Sequence, residues 1–253
     1  MTKNIHLITP VFSEGIRSLE DVKPLEKYGI KITHHLLDAG PASIECEVDE
    51  ALAVPDTIKK CIEAERSGAD AIVIDCMGDP GLKPAREAVS IPVLGPLQTS
   101  VHLAAMLGQK FSIVTVLDTV VPMLNNLTRA YGLDSKLASV RVIDLPVLEI
   151  EKNIDKAKIQ LSAESLAAIK EDKASVIIFG CTGFLGCADA IIDALAHESL
   201  NAPVIDPVPV TILQAAAIAN AGLSQSKITY AFPRKKEVRG YKLNLGYPEI
   251  AAE

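Results

Sequence analysis

Two cysteines occupy matching places in two halves of the chain. Cys76 closes the run Ala71-Ile72-Val73-Ile74-Asp75-Cys76, and Cys181 closes Val176-Ile177-Ile178-Phe179-Gly180-Cys181, 105 residues later. Each run is a short apolar stretch leading into a Gly-rich turn, so each thiol is predicted at the mouth of a buried strand. Open α/β sheets keep their chemistry at such strand ends. Two opposed thiols suit one kind of reaction: removing a proton from one face of a carbon and returning one on the other, which is racemisation or epimerisation. One thiolate acts as base and the opposite thiol as acid, each transfer contributing about 10²–10⁴ in rate. The carbanion formed between them needs a neighbouring carbonyl or carboxylate to take its charge. Backbone N–H groups of Met77, Gly78, Thr182 and Gly183 are candidate donors to that oxygen, at about 3–4 kcal/mol each. A helical pattern follows Cys76-Met77-Gly78-Asp79-Pro80-Gly81-Leu82. The positive end of its dipole is expected to lower the thiol pKa from about 8.5 into the reactive range.

The other three cysteines, Cys46, Cys61 and Cys187, read as small apolar side chains filling space. What distinguishes Cys76 and Cys181 is an internal duplication. Ile5 to Thr9 pairs with Phe111 to Thr115, Tyr28-Gly29-Ile30 with Tyr131-Gly132-Leu133, and Ile91-Pro92-Val93 with Ala202-Pro203-Val204. With the cysteines, the offsets are 106, 103, 105 and 111 residues, so one folding unit occurs twice, with six residues inserted after the second cysteine. A pseudo-twofold arrangement of the two units would bring the thiols face to face.

The elements that must hold them follow from apolar runs of four to seven residues alternating with longer amphipathic stretches, the pattern of βα units feeding parallel sheets. Strands are predicted at 4–9, 30–36, 70–75, 91–94, 110–116, 139–144, 174–180 and 203–206. Helices are predicted at 14–28, 50–67, 80–89, 97–108, 119–131, 155–172, 184–198 and 208–221. The fold class is therefore α/β, two pseudo-symmetric parallel-sheet lobes with the active site in the cleft between them. No low-complexity linker separates the lobes, and helices 97–108 and 208–221 are expected to cross between them. The first lobe then comprises 1–96 with 208–253, and the second 97–207. The tail 224–253, with Pro233, Gly240, Gly246 and Pro248, reads as irregular structure on the surface.

At 253 residues the chain can bury a sizeable core. Hydrophobic residues make up 49%, yet no uncharged run reaches the length of a membrane span. The N-terminal segment has no signal-peptide core, so a cytoplasmic location with reduced thiols is expected. A net charge of −7 argues against nucleic acid, and Arg234-Lys235-Lys236 is followed at once by Glu237. The expected partners are a small molecule with an acidic α C–H and, from the apolar content and long tail, a second copy of the chain in a homo-oligomer. No cofactor and no metal is expected. His34 and His35 are adjacent on a strand and point to opposite faces, and neither a dinucleotide fingerprint nor a phosphate-binding loop is present. Glu14, Glu20 and Asp21 read as a solvated first helical turn.

Several segments together resemble the aspartate/glutamate racemase superfamily, and within it the hydantoin and allantoin racemase branch. They are Gly40-Pro41-Ala42-Ser43-Ile44-Glu45, Cys76-Met77-Gly78-Asp79-Pro80-Gly81-Leu82, Phe111 to Leu117, Pro146-Val147-Leu148 and Gly180-Cys181-Thr182-Gly183. The resemblance implies cofactor-independent racemisation by Cys76 and Cys181. It also implies that substrate is held by Thr9 and Pro10, by the loop carrying Gly40, Pro41, Ser43 and Ile44, by Met77, Gly78, Thr182 and Gly183, and by Thr119 from the second lobe. Two departures bear on the substrate. The branch opens with Asn-Pro-Asn where this chain has Thr9-Pro10-Val11, and glutamate racemases carry Cys-Asn-Thr and Cys-Thr-His where it has Cys76-Met77-Gly78 and Cys181-Thr182-Gly183. A 5-substituted hydantoin, allantoin or related derivative is therefore expected before a free dicarboxylic amino acid. The alternatives are a decarboxylase or cis-trans isomerase on the same scaffold, similar to arylmalonate decarboxylases or maleate isomerases, and a non-catalytic small-molecule binding protein.

Overall fold

The computed structural model describes residues 2–241. Its elements in chain order are β1 (Lys3–Thr9), α1 (Leu19–Val22), β2 (Ile30–Leu36), α2 (Glu47–Arg66), β3 (Ala71–Ile74), α3 (Leu82–Ala88), β4 (Val93–Leu94) and α4 (Pro96–Leu107). The series repeats as β5 (Phe111–Thr115), α5 (Val121–Ala130), β6 (Leu137–Val142), α6 (Ile154–Lys170), β7 (Val176–Phe179), α7 (Ala188–His197), β8 (Val204–Ile205) and α8 (Pro207–Asn220). The strands form two four-stranded sheets of identical order, β2-β1-β3-β4 and β6-β5-β7-β8. Every pairing is parallel, with Ile5 opposite Ala71 in one sheet and Phe111 opposite Val176 in the other. The α/β fold with two repeated parallel-sheet lobes is as the periodicity predicts.

The pleat explains the layers. On β3, Ala71 and Val73 face one core and Ile72 and Ile74 the other. The second core contains α2 and α3 residues such as Cys61 and Leu82. The first contains Val208, Ile212, Ala215 and Ala219 of α8. The C-terminal helix of the second repeat thus completes the first sheet. Reciprocally, Leu97, Val101 and Ala104 of α4 belong to the core around Phe111, Ile113 and Ile178. Full burial of a branched side chain contributes about 1.5–3 kcal/mol, so Val208 and Ile212 alone fasten α8 across the lobe boundary. The two crossing helices also pack on each other.

One predicted helix is mostly loop. Residues 14–28 contain only the single turn of α1, followed by a 3₁₀ turn over Lys23–Tyr28. Gly15 has φ +89 and turns the chain in a left-handed conformation that side chains disfavour. Ser18 is extended, with its N–H held by the Asp21 carboxylate at 2.6 Å, so the helix starts only at Leu19. Residues 10–18 accordingly run as a loop along the cleft. Beyond α8 the described tail has no helix or strand and packs on the first lobe. The Val93 N–H donates to Gln225 Oε1 at 2.9 Å, Lys227 Nζ donates to the Arg86 carbonyl at 2.7 Å, and Arg86 stacks on the Tyr230 ring. Gly246 and Pro248 lie outside the described residues. Among those described, no helix is long and apolar enough to cross a membrane.

Candidate active site

β3 ends because its next residues leave the ladder. Asp75 still donates its N–H to the Ile8 carbonyl, at 2.7 Å, but the Cys76 N–H turns back to Ile74 and the Asp79 N–H closes a turn onto the Cys76 carbonyl. The second site repeats the plan. Gly180 donates to the Val114 carbonyl at 2.7 Å, and a 3₁₀ turn follows over Thr182–Phe184. Gly180 has a packing reason, since a Cβ there would collide with the Thr115 side chain. Each sulfur accepts from the N–H two residues on: Gly78 at 3.5 Å to Cys76 and Gly183 at 3.3 Å to Cys181.

The two cysteines line one cavity from opposite sheets. Its volume is about 50 Å³. Thr9, Pro10, Ile44, Met77, Gly78, Thr182 and Gly183 line it as expected, and apolar Ile16, Val120, Met123 and Val147 add to the wall. Among the described residues, Asp75 is the one carboxylate in the lining and no lysine or arginine joins it. No cluster of His, Cys, Asp and Glu among the described residues could hold a metal ion.

Thiol electrostatics run opposite to the helix-dipole expectation. Burial pushes the Cys76 thiol well above its ordinary value, and the nearby Cys181, Asp79 and Asp75 add to the rise against the Gly78 N–H. Burial pushes Cys181 up to about 11, with the Gly183 N–H and Arg17 opposing it. The dipole fails for a geometric reason. α3 begins at Leu82 and α7 at Ala188, six and seven residues beyond their cysteines, while the dipole acts within about one turn. Desolvation therefore dominates.

Gly40, Pro41, Ser43 and Thr119 do not line the cavity; they shape the loop that carries Ile44 into it. Gly40 packs near Leu37 and Ala53, and the Pro41 carbonyl accepts from the Phe12 N–H at 3.2 Å. Thr119 Oγ1 donates to the Glu45 carbonyl at 2.6 Å, and the Val147 N–H donates to Glu45 Oε1 at 2.7 Å. Glu45 thus clasps the first-lobe loop to two loops of the second. His34 and His35 do part to opposite partners, Thr9 Oγ1 at 3.0 Å and His6 Nε2 at 3.0 Å. Cys46 precedes α2, Cys61 is buried in α2 and Cys187 is buried before α7, all away from the cavity.

Two residues that the motifs do not single out are central. Arg17 Nε donates to Asp75 Oδ2 at 2.8 Å, and Thr9 Oγ1 donates to the same oxygen at 3.0 Å. Burial works against the Arg17 charge, but Asp75 outweighs it and holds the guanidinium above its ordinary value. Asp79 is a third such group. Its carboxylate receives the N–H groups of Leu97 and Gln98 at the start of α4, at 3.0 and 2.9 Å, and the Tyr131 hydroxyl at 2.7 Å. A Cβ on Gly95 would run into that carboxylate, which fixes glycine there. The turn behind Cys76 is thereby pinned to both lobes.

Burial raises Asp79 to about 6, against the pull of these donors. A carboxyl raised above its unfolded value of about 3.9 contributes stability that is present below pH 4 and lost as pH rises through 6. Asp79→Asn should remove that slope. Urea denaturation of both proteins from pH 4 to 7.5 should show their stability difference changing by on the order of 2–3 kcal/mol; a constant difference would mean that Asp79 is not raised.

The family model described as Asp/Glu/Hydantoin racemase matches residues 23–215. The chain is 39% identical to the hydantoin racemase of Pseudomonas sp. (strain NS671) over 82% of each chain, and 36% identical to that of Rhizobium meliloti over 95% of this chain and 99% of the relative. The solved structure of the allantoin racemase from Klebsiella pneumoniae superposes with a TM-score of 0.88 at 32% identity, over 96% of this chain and 99% of that one. With two repeated α/β lobes and a shared cavity at the ends of their strands, the chain belongs to the Asp/Glu/Hydantoin racemase family of isomerases.

Proposed function

We propose that the protein is a cofactor-independent, two-cysteine racemase acting on a carbon next to a carbonyl in a 5-substituted hydantoin, allantoin or a related cyclic amide. The observation that carries this reading is the pair Cys76 and Cys181, reaching one small cavity from two different sheets. A thiolate on one side takes the α-proton, and the C–H electron pair moves into the carbonyl to give an enolate. The thiol on the other side then delivers its proton to the opposite face, leaving thiolate and thiol exchanged. Gly78 and Gly183 N–H groups serve the sulfurs, where they stabilise whichever carries charge. That leaves the N–H groups of Met77 and Thr182, which have no described acceptor, for the enolate oxygen.

The lining favours a neutral ring over a free dicarboxylic amino acid. A substrate carboxylate would find no lysine or arginine in the wall to receive it, whereas an apolar 5-substituent fits against Ile44, Val120 and Met123. The hydantoin racemase relatives support the same substrate class.

The test is an enantiomer panel in deuterated water, covering substituted hydantoins, allantoin, amino acids and arylmalonates, with optical rotation and α-deuterium followed together. Loss of rotation with α-deuterium incorporation is expected for hydantoins or allantoin. Carbon dioxide release from arylmalonates without racemisation of any hydantoin would instead establish a decarboxylase.

A further inference from the structure

Arg17 spans the cleft. Its Nε holds the Asp75 carboxylate, and its Nη2 donates to the Thr182 carbonyl at 2.6 Å. Asp75 is the residue directly before Cys76, and Thr182 the residue directly after Cys181. Thr182 Oγ1 returns a hydrogen bond to the Asp75 carbonyl at 3.2 Å. One guanidinium therefore joins the two thiol-bearing turns, and both ends of the ion pair are almost closed to solvent, with side-chain exposures of 4% and 1%.

The duplication shows that the repeat does not need this pair in order to fold. Thr9 and Thr115 hold equivalent places on β1 and β5, and each hydroxyl donates to the residue before the cysteine. That residue is Asp75 in the first repeat and Gly180 in the second. A plain backbone carbonyl satisfies the threonine in the second repeat, where the first uses a buried carboxylate. The carboxylate also leaves Asp75 Oδ1 with no partner among the described residues, a cost that packing alone does not explain. The carboxylate does supply an anchor for Arg17.

We propose that Arg17 is a positioning residue that, by joining Asp75 to the Thr182 carbonyl, fixes the span between the Cys76 and Cys181 sulfurs so that proton removal and delivery meet at one carbon. This rests on the two-thiol reading above and deepens it. Racemisation needs both sulfurs in register with the same carbon, whereas exchange of an α-hydrogen on one face needs only one sulfur. The latch should therefore matter to the first and hardly to the second.

Arg17→Lys is the main test, because it keeps the buried charge but has no rigid fork to reach both acceptors. The kcat for racemisation should fall about 10²-fold, with KM changed less than about threefold. In a Cys76→Ser background, where one-sided deuterium exchange relies on Cys181 alone, adding Arg17→Lys should change the exchange rate by less than about threefold. Equal loss of racemisation and one-sided exchange would assign Arg17 a merely structural role and overturn the proposal. Unchanged racemisation in Arg17→Lys would overturn it too, while collapse of racemisation in Cys76→Ser alone would leave the two-thiol reading standing.

Discussion

Replacing either Cys76 or Cys181 with serine should abolish racemisation, lowering kcat by at least about 10²–10⁴-fold, while each variant still exchanges the α-hydrogen of one enantiomer. A serine hydroxyl is too weak an acid to stand in for the thiol, so each variant loses proton transfer on one face only. The remaining thiolate can still remove a proton and return a deuteron on its own side. The two variants should act on opposite enantiomers, because the sulfurs approach the cavity from opposite sheets. Deuterium incorporation by NMR, run separately on each enantiomer, reads this directly. A Cys181→Ser protein that racemises at the wild-type rate would end the two-base mechanism. If both variants exchanged the same enantiomer, the thiols would not be on opposite faces of the carbon.

The second large effect concerns pH. With the Cys181 thiol pushed up to about 11 by burial, its thiolate fraction at pH 7.5 is about 3 × 10⁻⁴. Alkylation of the free enzyme by iodoacetamide should therefore accelerate about tenfold per pH unit between pH 7 and 10. The sign follows from burial favouring the neutral thiol, so ionisation appears only as pH rises through the shifted value. Cys181 should be labelled before Cys76, since Arg17 assists its ionisation whereas Cys76 has Asp79 and Asp75 beside it. Site-resolved mass spectrometry across the pH series checks both statements. A rate that levels off below pH 8 would show that the thiols are activated instead.

The strands were legible because each is a short apolar run closed by a turn residue, and the two thiols because the duplication put both at the same strand end. Helices α2, α4, α6 and α8 followed from periodicity within a few residues. The first helix was not legible. Glu14, Glu20 and Asp21 suggest an acidic helical start, yet Gly15 and the extended Ser18 hold the chain open until Leu19. The same open segment carries Arg17, whose partners lie 58 and 165 residues away and leave no local pattern. The family resemblance implies Thr119 as a substrate contact, whereas in the structure its hydroxyl donates to the Glu45 carbonyl. The thiol shifts were not legible, because a helix dipole acts only on a sulfur beside the helix end, and burial dominates here. Only the packed lobes show how far the helices start from the cysteines.

The crossing of α4 and α8 has a historical reading. Each repeat lends its last helix to the other repeat's sheet and keeps neither for itself. Within a single polypeptide this is the geometry of a domain-swapped pair. A precursor with one repeat would have lacked a cover for its own β-sheet and a second thiol for its own pocket. It could have acquired both at once only by exchanging helices with an identical copy, which places one cysteine from each chain about a twofold axis. Fusion of two such genes would then have released the pair from symmetry, allowing Asp75 to arise in one half while Gly180 occupies the same place in the other.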